Sequence, residues 1–349
     1  MSPSKGKEVT TMKCAVLIPC YEPDEKLKNL CMALSAKGLY TLVVNDGSTK
    51  NLEIFDDCAK FNNIEVTGYA DNRGKGHALK VGFDYLRSRG FDSCVTADSD
   101  GQHTPEDILR IMAELEKNPK KLVLGVRDKS LMPPKSKIGN EMTCKLFRLL
   151  YGIRLSDTQT GLRGIPFSDF DGLMSIKSER YEYEMEMLID SGKLFSGIVE
   201  LPIETIYIED NRGSHFHPIK DGAKIYSVLF GKLPIFLVSS LISFIIDYGL
   251  FNLFYYVIFK SSTLSTVIAR AISGSANFLI NRNVVFKGNN EKYTFWRYWT
   301  LALCILAANL LLIKLLVDIA GLPAFFAKII VEIILYFVNF IIQNRWTHR

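Results

Sequence analysis

The chain has 349 residues, of which 48% are hydrophobic and 23% are charged, and its formal net charge is +5. This length is enough for two domains, and so small a charge gives no reason to expect a nucleic-acid partner. The 7 cysteines form no CxxC pair. An odd number of cysteines in apolar segments is typical of free thiols in a reducing compartment, so a disulfide scaffold is not expected.

The composition changes along the chain. Residues 1–232 mix polar and apolar side chains, as in a soluble α/β domain, whereas apolar runs dominate residues 233–349. The polar N-terminus leads into the apolar run Cys14 to Pro19, which is too short for a signal peptide and predicts a strand. We therefore expect the first domain to lie in the cytoplasm.

The first domain alternates strand-like and helix-like segments. Strands are predicted at 15–19, 39–44, 63–69, 92–97 and 121–126, and helices at 24–37, 51–60, 75–88 and 105–117. This order predicts an α/β fold with a parallel, doubly wound sheet, in which ligands bind beyond the carboxyl ends of the strands. Three polar motifs fall at those ends and are expected to form one site: Pro19-Cys-Tyr-Glu22, Asn45-Asp-Gly-Ser48 and Asp98-Ser-Asp-Gly-Gln102.

The motif after the fourth strand predicts a metal site. Asp98 and Asp100 are two residues apart and point the same way, and together with Gln102 they supply the oxygen ligands that Mg²⁺ or Mn²⁺ prefers. Such an ion also binds the diphosphate of a nucleotide and stabilises the charge on the leaving phosphate. The alternative is an acidic turn that caps the helix at 105–117.

Two further motifs predict contacts with a nucleotide. Asp46 is suited to accept hydrogen bonds from a base or ribose, with an Asx-turn as the alternative, and Tyr21 is suited to lie against a base. Asp71 to His77 opens a helix, where Arg73 or Lys75 suits phosphate. For His77, local helix packing is favoured over a role as general base.

These motifs resemble those of a known family. Pro19-Cys-Tyr21, Asn45 to Ser48, Asn72 to Gly76, Asp98 to Gln102 and Asp157 to Arg163 together resemble family 2 glycosyltransferases of the polyprenyl-phosphate branch, which includes dolichyl-phosphate mannose synthases and bactoprenyl-phosphate glucosyltransferases. The resemblance covers about residues 12–225. It implies a GT-A fold, a divalent metal, an inverting reaction and a lipid-phosphate acceptor. Residues 232–349 resemble the GtrA-like four-helix membrane proteins.

The resemblance also assigns roles to residues. It implies that Asp98, Asp100, Arg127 and Arg212 are catalytic, that Asp98, Asp100 and Gln102 bind the metal, and that Arg127 with Lys135 or Lys137 binds the lipid phosphate. For the two lysines, a solvated or lipid-facing basic surface is the alternative. The resemblance implies a nucleotide-sugar site that includes Pro19, Tyr21, Asp46, Asp98, Asp100 and Arg212, and we add Glu22, Asp71, Lys75, Ser99 and His215 to the predicted site. Two of these depart from the family pattern: Glu22 comes one position before the family's acidic residue, and His215 stands near the place of a missing lysine. A lipid phosphate is already an anionic nucleophile, so no essential general base is expected.

Two basic, apolar segments are expected to lie at the membrane surface. Segment 138–151 carries an apolar stripe beside Lys145 and Arg148, and segment 219–232 leads into the first apolar run. Helices that face the protein core are the alternative, especially for segment 138–151. The predicted domains are therefore a catalytic domain at 1–218, an interfacial helix at 219–232 and a membrane domain at 233–349.

The membrane domain is predicted to contain four spans, at about 234–258, 263–281, 298–318 and 323–342, each near the roughly 20 residues that cross a bilayer. A buried soluble bundle is the alternative. Basic residues concentrate in the link 282–297 and in the C-terminal tail, which predicts that both termini are cytoplasmic. Ala276 to Arg282 resembles Val338 to Arg345, which indicates two repeated helical hairpins, with chance similarity between apolar segments as the alternative.

Polar residues within the predicted spans have two alternative interpretations. Asp247, Arg270, Asn277, Asn309, Lys314, Glu332 and Asn339 are expected to face either a polar path for a sugar headgroup or hydrogen bonds between helices. A homo-oligomer is left open.

Three functions compete. The favoured one is transfer of a hexose from a nucleotide sugar, UDP-glucose first, to a polyprenyl phosphate at a bacterial plasma membrane. The alternatives are a processive polysaccharide synthase and a flippase for lipid-linked sugars with a regulatory first domain. Gln343-Asn-Arg-Trp346 is one residue shorter than the QxxRW motif of such synthases, so it is interpreted as coincidence.

Overall fold

The computed structural model describes residues 12–204, 220–259, 261–286 and 293–346. The chain divides into two compact units. The first comprises residues 1–148 and 153–229, and the second comprises residues 149–152 and 230–349. The division after residue 229 falls inside the segment expected to form the interfacial helix.

The first unit is an α/β domain. Its strands are β1 (Cys14–Cys20), β2 (Thr41–Asp46), β3 (Ile64–Tyr69), β4 (Ser93–Thr96), β5 (Leu122–Arg127), β6 (Arg163–Pro166) and β7 (Ile198–Ile203). Its helices are α1 (Glu25–Ala36), α2 (Glu53–Cys58), α3 (Lys75–Ser88), α4 (Pro105–Lys117), α5 (Pro134–Tyr151), α6 (Phe170–Ser175), α7 (Glu182–Ile189), α8 (Ser191–Leu194) and α9 (Lys220–Leu229).

The strands form one mixed sheet in the order β3-β2-β1-β4-β6-β5-β7. β1 pairs in parallel with β2 and β4, so the carboxyl ends of these strands lie at one edge, with Cys20 opposite Asn45. The predicted parallel order is confirmed there. β6 departs from it, because it runs antiparallel to both β4 and β5. This reversal brings the segment before β6 to the edge where the polar motifs end.

Local sequence signals account for the helix that follows the metal motif. The Thr104 side chain accepts a hydrogen bond from the Asp107 backbone amide, and Pro105 occupies the first helical turn. Ile108, Ile111 and Leu115 are buried, which is the spacing of one helical face. The helix is therefore anchored to the sheet, and this fixes the turn that carries Asp98 and Asp100.

The two segments expected at the membrane surface differ in the exposure of their apolar side chains. On α5, Ile138 is 67% exposed and Met142 is 48% exposed, so apolar side chains do face outward there, as an interfacial helix requires. On α9, Ile225 and Leu229 are 9% and 2% exposed. The apolar side of α9 is therefore buried, and the helix lies against α7, as the core-facing alternative requires.

The second unit is helical. It contains α10 (Lys232–Leu253), α11 (Ser262–Ile280), α12 (Tyr293–Lys314) and α13 (Ala324–Trp346), and π-helical turns extend the first three. Large apolar side chains face outward on α10, where Phe244 is 64% exposed and Ile245 is 61% exposed. By length and mean hydropathy, Lys232–Ile258 is the single helix among the described residues that meets the criteria for a membrane span. The four-span arrangement therefore stays a prediction.

Polar side chains of the second unit bond to one another between helices. Ser239 Oγ donates to Asn281 Oδ1 at 2.6 Å, and Asn281 Nδ2 donates to Gln343 Oε1 at 3.2 Å. Farther along, Asn309 Nδ2 donates to Glu332 Oε1 at 3.1 Å. For Asn309 and Glu332, the interpretation as hydrogen-bond partners between helices is therefore supported.

The contacts also follow the predicted repeat. Phe236 lies 5.4 Å from Phe340 between ring centroids, and Tyr298 lies 5.3 Å from Phe278 at nearly the same tilt. Each ring in one hairpin thus has an equivalent in the other about 62 residues away (236 and 298, 278 and 340). Asn281 and Gln343 have the same offset and bond to each other. The two hairpins therefore pack with approximate twofold symmetry.

This amide pair predicts a stability pattern. Asn281→Leu leaves the buried Gln343 amide without that partner, and we expect it to lower stability by about 1 kcal/mol, as for hydrogen bonds between membrane helices. Adding Gln343→Leu removes the amide that has lost its partner, so the double variant should cost less than Asn281→Leu alone. Thermal unfolding in detergent measures this, and a double variant less stable than Asn281→Leu contradicts it.

Candidate active site

The acidic motif lies where the sequence placed it, directly after β4. Asp98 Oδ1 lies 2.7 Å from Lys75 Nζ, and Asp98 Oδ2 lies 3.5 Å from His103 Nε2. Asp100 Oδ1 accepts a hydrogen bond from the Gln102 backbone amide at 3.1 Å. Both carboxylates are half-buried at the carboxyl edge of the sheet.

The segment before β6 closes against this motif. A Cβ atom built on Gly161 would lie 2.1 Å from Asp98 Oδ2, so only glycine allows the backbone to come so near. Thr96 Oγ1, at the end of β4, donates to the Gly161 carbonyl at 2.8 Å and fixes this approach. The segment that leads into the antiparallel β6 thus forms one wall of the site.

The two carboxylates differ electrostatically. Burial opposes the charge of Asp98, but Lys75 and His103 together outweigh burial and hold the pKa of Asp98 below its ordinary value. Burial and the neighbouring charge of Asp98 raise the pKa of Asp100. A cation that binds between them relieves this repulsion.

The residues present fit a divalent cation. The buried His103 ring has no hydrogen-bond partner for either nitrogen within the described residues, and its Nε2 faces Asp98. No cluster of three His, Cys, Asp or Glu side chains is preformed in that part of the chain. Two carboxylates and an amide leave positions for phosphate oxygens and water, which is how Mg²⁺ is usually bound in nucleotide sites.

Lys75 occupies a different environment from the one expected. Its ammonium lies 2.7 Å from Asp98 and 2.9 Å from Glu184, between two carboxylates. Burial disfavours its charge, but these carboxylates raise its pKa above the ordinary value. The neighbouring His77 packs edge-on against Tyr69, and its backbone amide donates to the Glu179 carbonyl, in keeping with local packing.

Asp46 is buried and surrounded by donors. Its carboxylate accepts hydrogen bonds from Tyr69 Oη at 2.7 Å, from the amides of Arg73 at 2.9 Å and Gly74 at 3.0 Å, and from Asn72 Nδ2 at 3.2 Å. A carboxylate has about four acceptor positions, so these donors occupy it. Asp46 therefore fixes the loop that leads into α3, and its contact with the nucleoside stays a prediction.

The first polar motif forms a loop beside β2. Pro19 is buried within β1, and Tyr21 is half-buried after it. The Glu22 carboxylate accepts hydrogen bonds from the Thr49 amide and hydroxyl, both at 3.0 Å, while the Glu22 amide donates to Ser48 Oγ at 2.8 Å. Glu22 therefore joins the first two motifs and leaves Tyr21 at the edge of the sheet.

Arg127 ends β5 and is paired with a buried acid. Its Nε donates to Asp157 Oδ2 at 2.7 Å and its NH2 group donates to Asp157 Oδ1 at 3.0 Å. Asp157 is fully buried; burial opposes its charge, but the Arg127 hydrogen bond lowers its pKa. A cavity of about 410 Å³ opens beside Arg127, with Arg110 and Glu204 in its lining.

The other predicted site residues divide by location. Ser99 is half-buried within the acidic turn, and Asp71 is exposed in the loop before α3. Lys135 is exposed and Lys137 is half-buried, both in the first turn of α5. Arg212 and His215 lie outside the described residues, so their roles stay predictions.

Four residues at the site were not singled out by their sequence: His103, Asp157, Gly161 and Glu184. Asp157 and Gly161 lie inside a recognised motif, but nothing local showed that one pairs with Arg127 and the other touches Asp98. Glu184 lies in an acidic run that is typical of an exposed helix, yet it is only 8% exposed.

Comparisons with known proteins show the family of the chain. Residues 15–173 match the model for glycosyl transferase family 2, and residues 235–348 match the GtrA/DPMS transmembrane domain. A UDP-N-acetylglucosamine–dolichyl-phosphate N-acetylglucosaminyltransferase of Methanococcus voltae is 31% identical over 215 residues, covering 56% of this chain and 86% of the relative.

Other relatives are more distant. An undecaprenyl-phosphate mannosyltransferase of Micrococcus luteus is 28% identical, and the alignment covers 55% of this chain and 83% of that relative. Glucosyl-3-phosphoglycerate synthase from Mycobacterium tuberculosis, solved with Mn²⁺ and UDP-glucose, has a TM-score of 0.44 and 15% identity, covering 63% of this chain and 79% of that one. The chain belongs to glycosyl transferase family 2 and is a glycosyltransferase that carries a GtrA/DPMS transmembrane domain.

Proposed function

We propose that this enzyme transfers a hexose from a nucleotide sugar to a polyprenyl phosphate, with inversion at the anomeric carbon. The observation that carries the proposal is the carboxylate pair of Asp98 and Asp100 at the carboxyl edge of the sheet, beside the unsatisfied His103 ring. The similarity to transferases named for dolichyl and undecaprenyl phosphate supports the choice of acceptor.

Asp98, Asp100 and Gln102 would hold Mg²⁺ or Mn²⁺ against the donor diphosphate. The ion supplies positive charge that stabilises the leaving nucleotide phosphate. Tyr21 borders the expected nucleoside position, and Gly161, which has no side chain, lets the segment before β6 lie directly against Asp98. Arg212 and His215 complete the proposed donor site.

The acceptor side of the proposal rests on basic residues. Arg127, oriented by Asp157, and the lysines at the start of α5 are suited to hold a phosphate and to screen it from the donor diphosphate. Since a lipid phosphate is anionic before it attacks, no side chain has to remove a proton. The outward apolar residues of α5, Ile138 and Met142, suit a site at the membrane surface.

The donor is proposed to be a UDP-sugar. The sequence favours UDP-glucose, and the similarity to the Methanococcus voltae enzyme adds UDP-N-acetylglucosamine as the second candidate. The site is proposed to face the cytoplasm, where nucleotide sugars are made, with both termini on that side and bilayer lipids around the second unit.

The test is transfer of radiolabelled sugar into organic-extractable lipid by the purified full-length chain. A panel of UDP-glucose, UDP-N-acetylglucosamine, UDP-galactose and GDP-mannose is offered with undecaprenyl phosphate and Mn²⁺. We expect one UDP-sugar to be transferred, and EDTA to abolish transfer until Mn²⁺ or Mg²⁺ is restored. A long water-soluble polymer favours the polysaccharide synthase, and a lack of transfer from every donor overturns the proposal.

A further inference from the structure

Lys75 is a buried ammonium shared by two carboxylates from distant parts of the chain. Its Nζ lies 2.7 Å from Asp98 Oδ1 and 2.9 Å from Glu184 Oε2. The Lys75 side chain is 14% exposed and that of Glu184 is 11% exposed, so water screens the cluster weakly. The charge of Lys75 therefore acts directly on both acids.

The second acid is held in place by its own partners. Arg163 is 1% exposed, and its NH1 group donates to the Glu184 carbonyl at 2.8 Å while its Nε lies 3.6 Å from Glu184 Oε1. Helix α3 can approach α7 because Gly76 has no side chain; a Cβ there would lie 2.4 Å from Tyr183 Cβ. Lys75 and Glu184 are thus brought together by close packing of two helices.

The charges of this cluster balance. Lys75 and Arg163 are the cations, and Asp98 and Glu184 are the anions, so removing the charge of Glu184 leaves two cations with Asp98 as the single anion of the cluster. Without the Glu184 charge, Lys75 would act on Asp98 alone and compete with any metal ion for the same carboxylate. When a buried cation loses one of its two carboxylate partners, its burial becomes strongly unfavourable, or it interacts more strongly with the carboxylate that remains.

We propose that Glu184 is a positioning residue for the metal site: it neutralises Lys75, which leaves Asp98 with the negative charge that binds the divalent cation. This rests on the proposed function, in which Asp98 is a metal ligand. Lys75 then orients Asp98 without cancelling it, rather than binding the donor phosphates. Lys75 and Glu184 thus lie behind the carboxylate that would contact the metal, and they set its orientation and charge.

The experiment measures Mn²⁺ binding by the full-length protein in detergent, from the electron paramagnetic resonance signal of free Mn²⁺. Glu184→Gln keeps the size and removes the charge, and we expect the Kd for Mn²⁺ to rise about tenfold or more, as for other partners of metal ligands. The double variant Lys75→Met with Glu184→Gln also removes the Lys75 ammonium, which Glu184→Gln leaves without its second carboxylate. We expect the Kd to return to within about threefold of the parent value.

The matched control is Glu186→Gln on the same helix. Glu186 accepts a hydrogen bond from the Ser178 amide at 3.3 Å, and we expect its replacement to leave the Kd unchanged. Thermal unfolding of each variant without metal shows whether it is folded. A purely structural role for Glu184 lowers the melting temperature but gives a double variant that binds Mn²⁺ no better than the single one, and that result overturns the inference.

The same measurements separate the two proposals. If the parent protein binds Mn²⁺ and transfers sugar while Glu184→Gln keeps the parent Kd, only the role of Glu184 is wrong. If the parent protein neither binds Mn²⁺ nor transfers sugar, the proposed function itself fails. If Glu184→Gln does not fold, the double variant decides, since a folded double variant with a Kd more than about tenfold above the parent value contradicts charge compensation.

Discussion

Asp100→Asn is expected to reduce sugar transfer about a thousandfold without lowering the melting temperature. The loss corresponds to about 4 kcal/mol of transition-state stabilisation, the scale on which a bound metal acts on a leaving phosphate. Burial and Asp98 raise the pKa of Asp100, so its charge is unfavourable in the folded protein. An asparagine relieves that repulsion, and stability should stay equal or increase.

The measurement pairs the transfer assay with thermal unfolding. Asp84→Asn is the control, because Asp84 is an exposed carboxylate on α3, and its replacement should change neither quantity. Asp98→Asn should lose activity to the same extent but also lose stability, since it leaves Lys75 facing Glu184 alone. An Asp100→Asn protein that retains a tenth of the activity would falsify the metal role of this residue.

Local signals explain what the sequence predicted well. The predicted helix at 105–117 matches α4 at both ends, because Thr104 and Pro105 mark its start independently of the rest of the chain. The predicted helix at 75–88 also matches α3 at both ends, where the pattern of buried apolar residues marked it. The position of the acidic motif after β4 followed from the alternation of strands and helices, and it needed no distant contact.

Such local signals do not reveal contacts between residues that are far apart in the sequence. The phosphate role expected of Lys75 came from its place at the start of a helix, which does not reveal that Glu184 meets it from 109 residues farther along the chain. The antiparallel β6 is a buried strand of only four residues, RGIP, with no alternation to mark it. Its direction depends on the path through α5, which sequence periodicity does not specify.

The Asp46 carboxylate shows the limit of assigning a role from position alone. Its place after β2 fits both a ligand contact and an Asx-turn, and the sequence left both open. The hydrogen bonds from the Arg73 and Gly74 amides arise because the loop before α3 folds back over β2. A contact of this kind depends on tertiary packing and is visible only in the structure.

Arg127→Met is expected to lower the melting temperature by about 10 °C, the shift for 3–5 kcal/mol in a domain of this size. The physical reason is the fully buried Asp157, which loses its bidentate partner and keeps a hydrogen bond from the Gln159 amide at 2.9 Å. Asp157→Asn should cost about 1–2 kcal/mol, because Arg127 is partly exposed and water can solvate it. The double variant should be more stable than Arg127→Met alone.

Acidity provides an independent check of this ion pair. Arg127 lowers the pKa of Asp157 in the folded state despite burial, so the pair stabilises the fold above the unfolded pKa of about 3.9 and is lost as pH falls through the folded pKa. The difference in melting temperature between the parent and Asp157→Asn should therefore be present at neutral pH and shrink below about pH 4.

The transfer assay tests Arg127 separately. Arg127→Lys should raise the KM for undecaprenyl phosphate more than the KM for the donor, because lysine cannot reproduce the bidentate hydrogen bonding of a guanidinium group. Equal changes in both KM values would instead assign Arg127 a structural role shared by the two substrates.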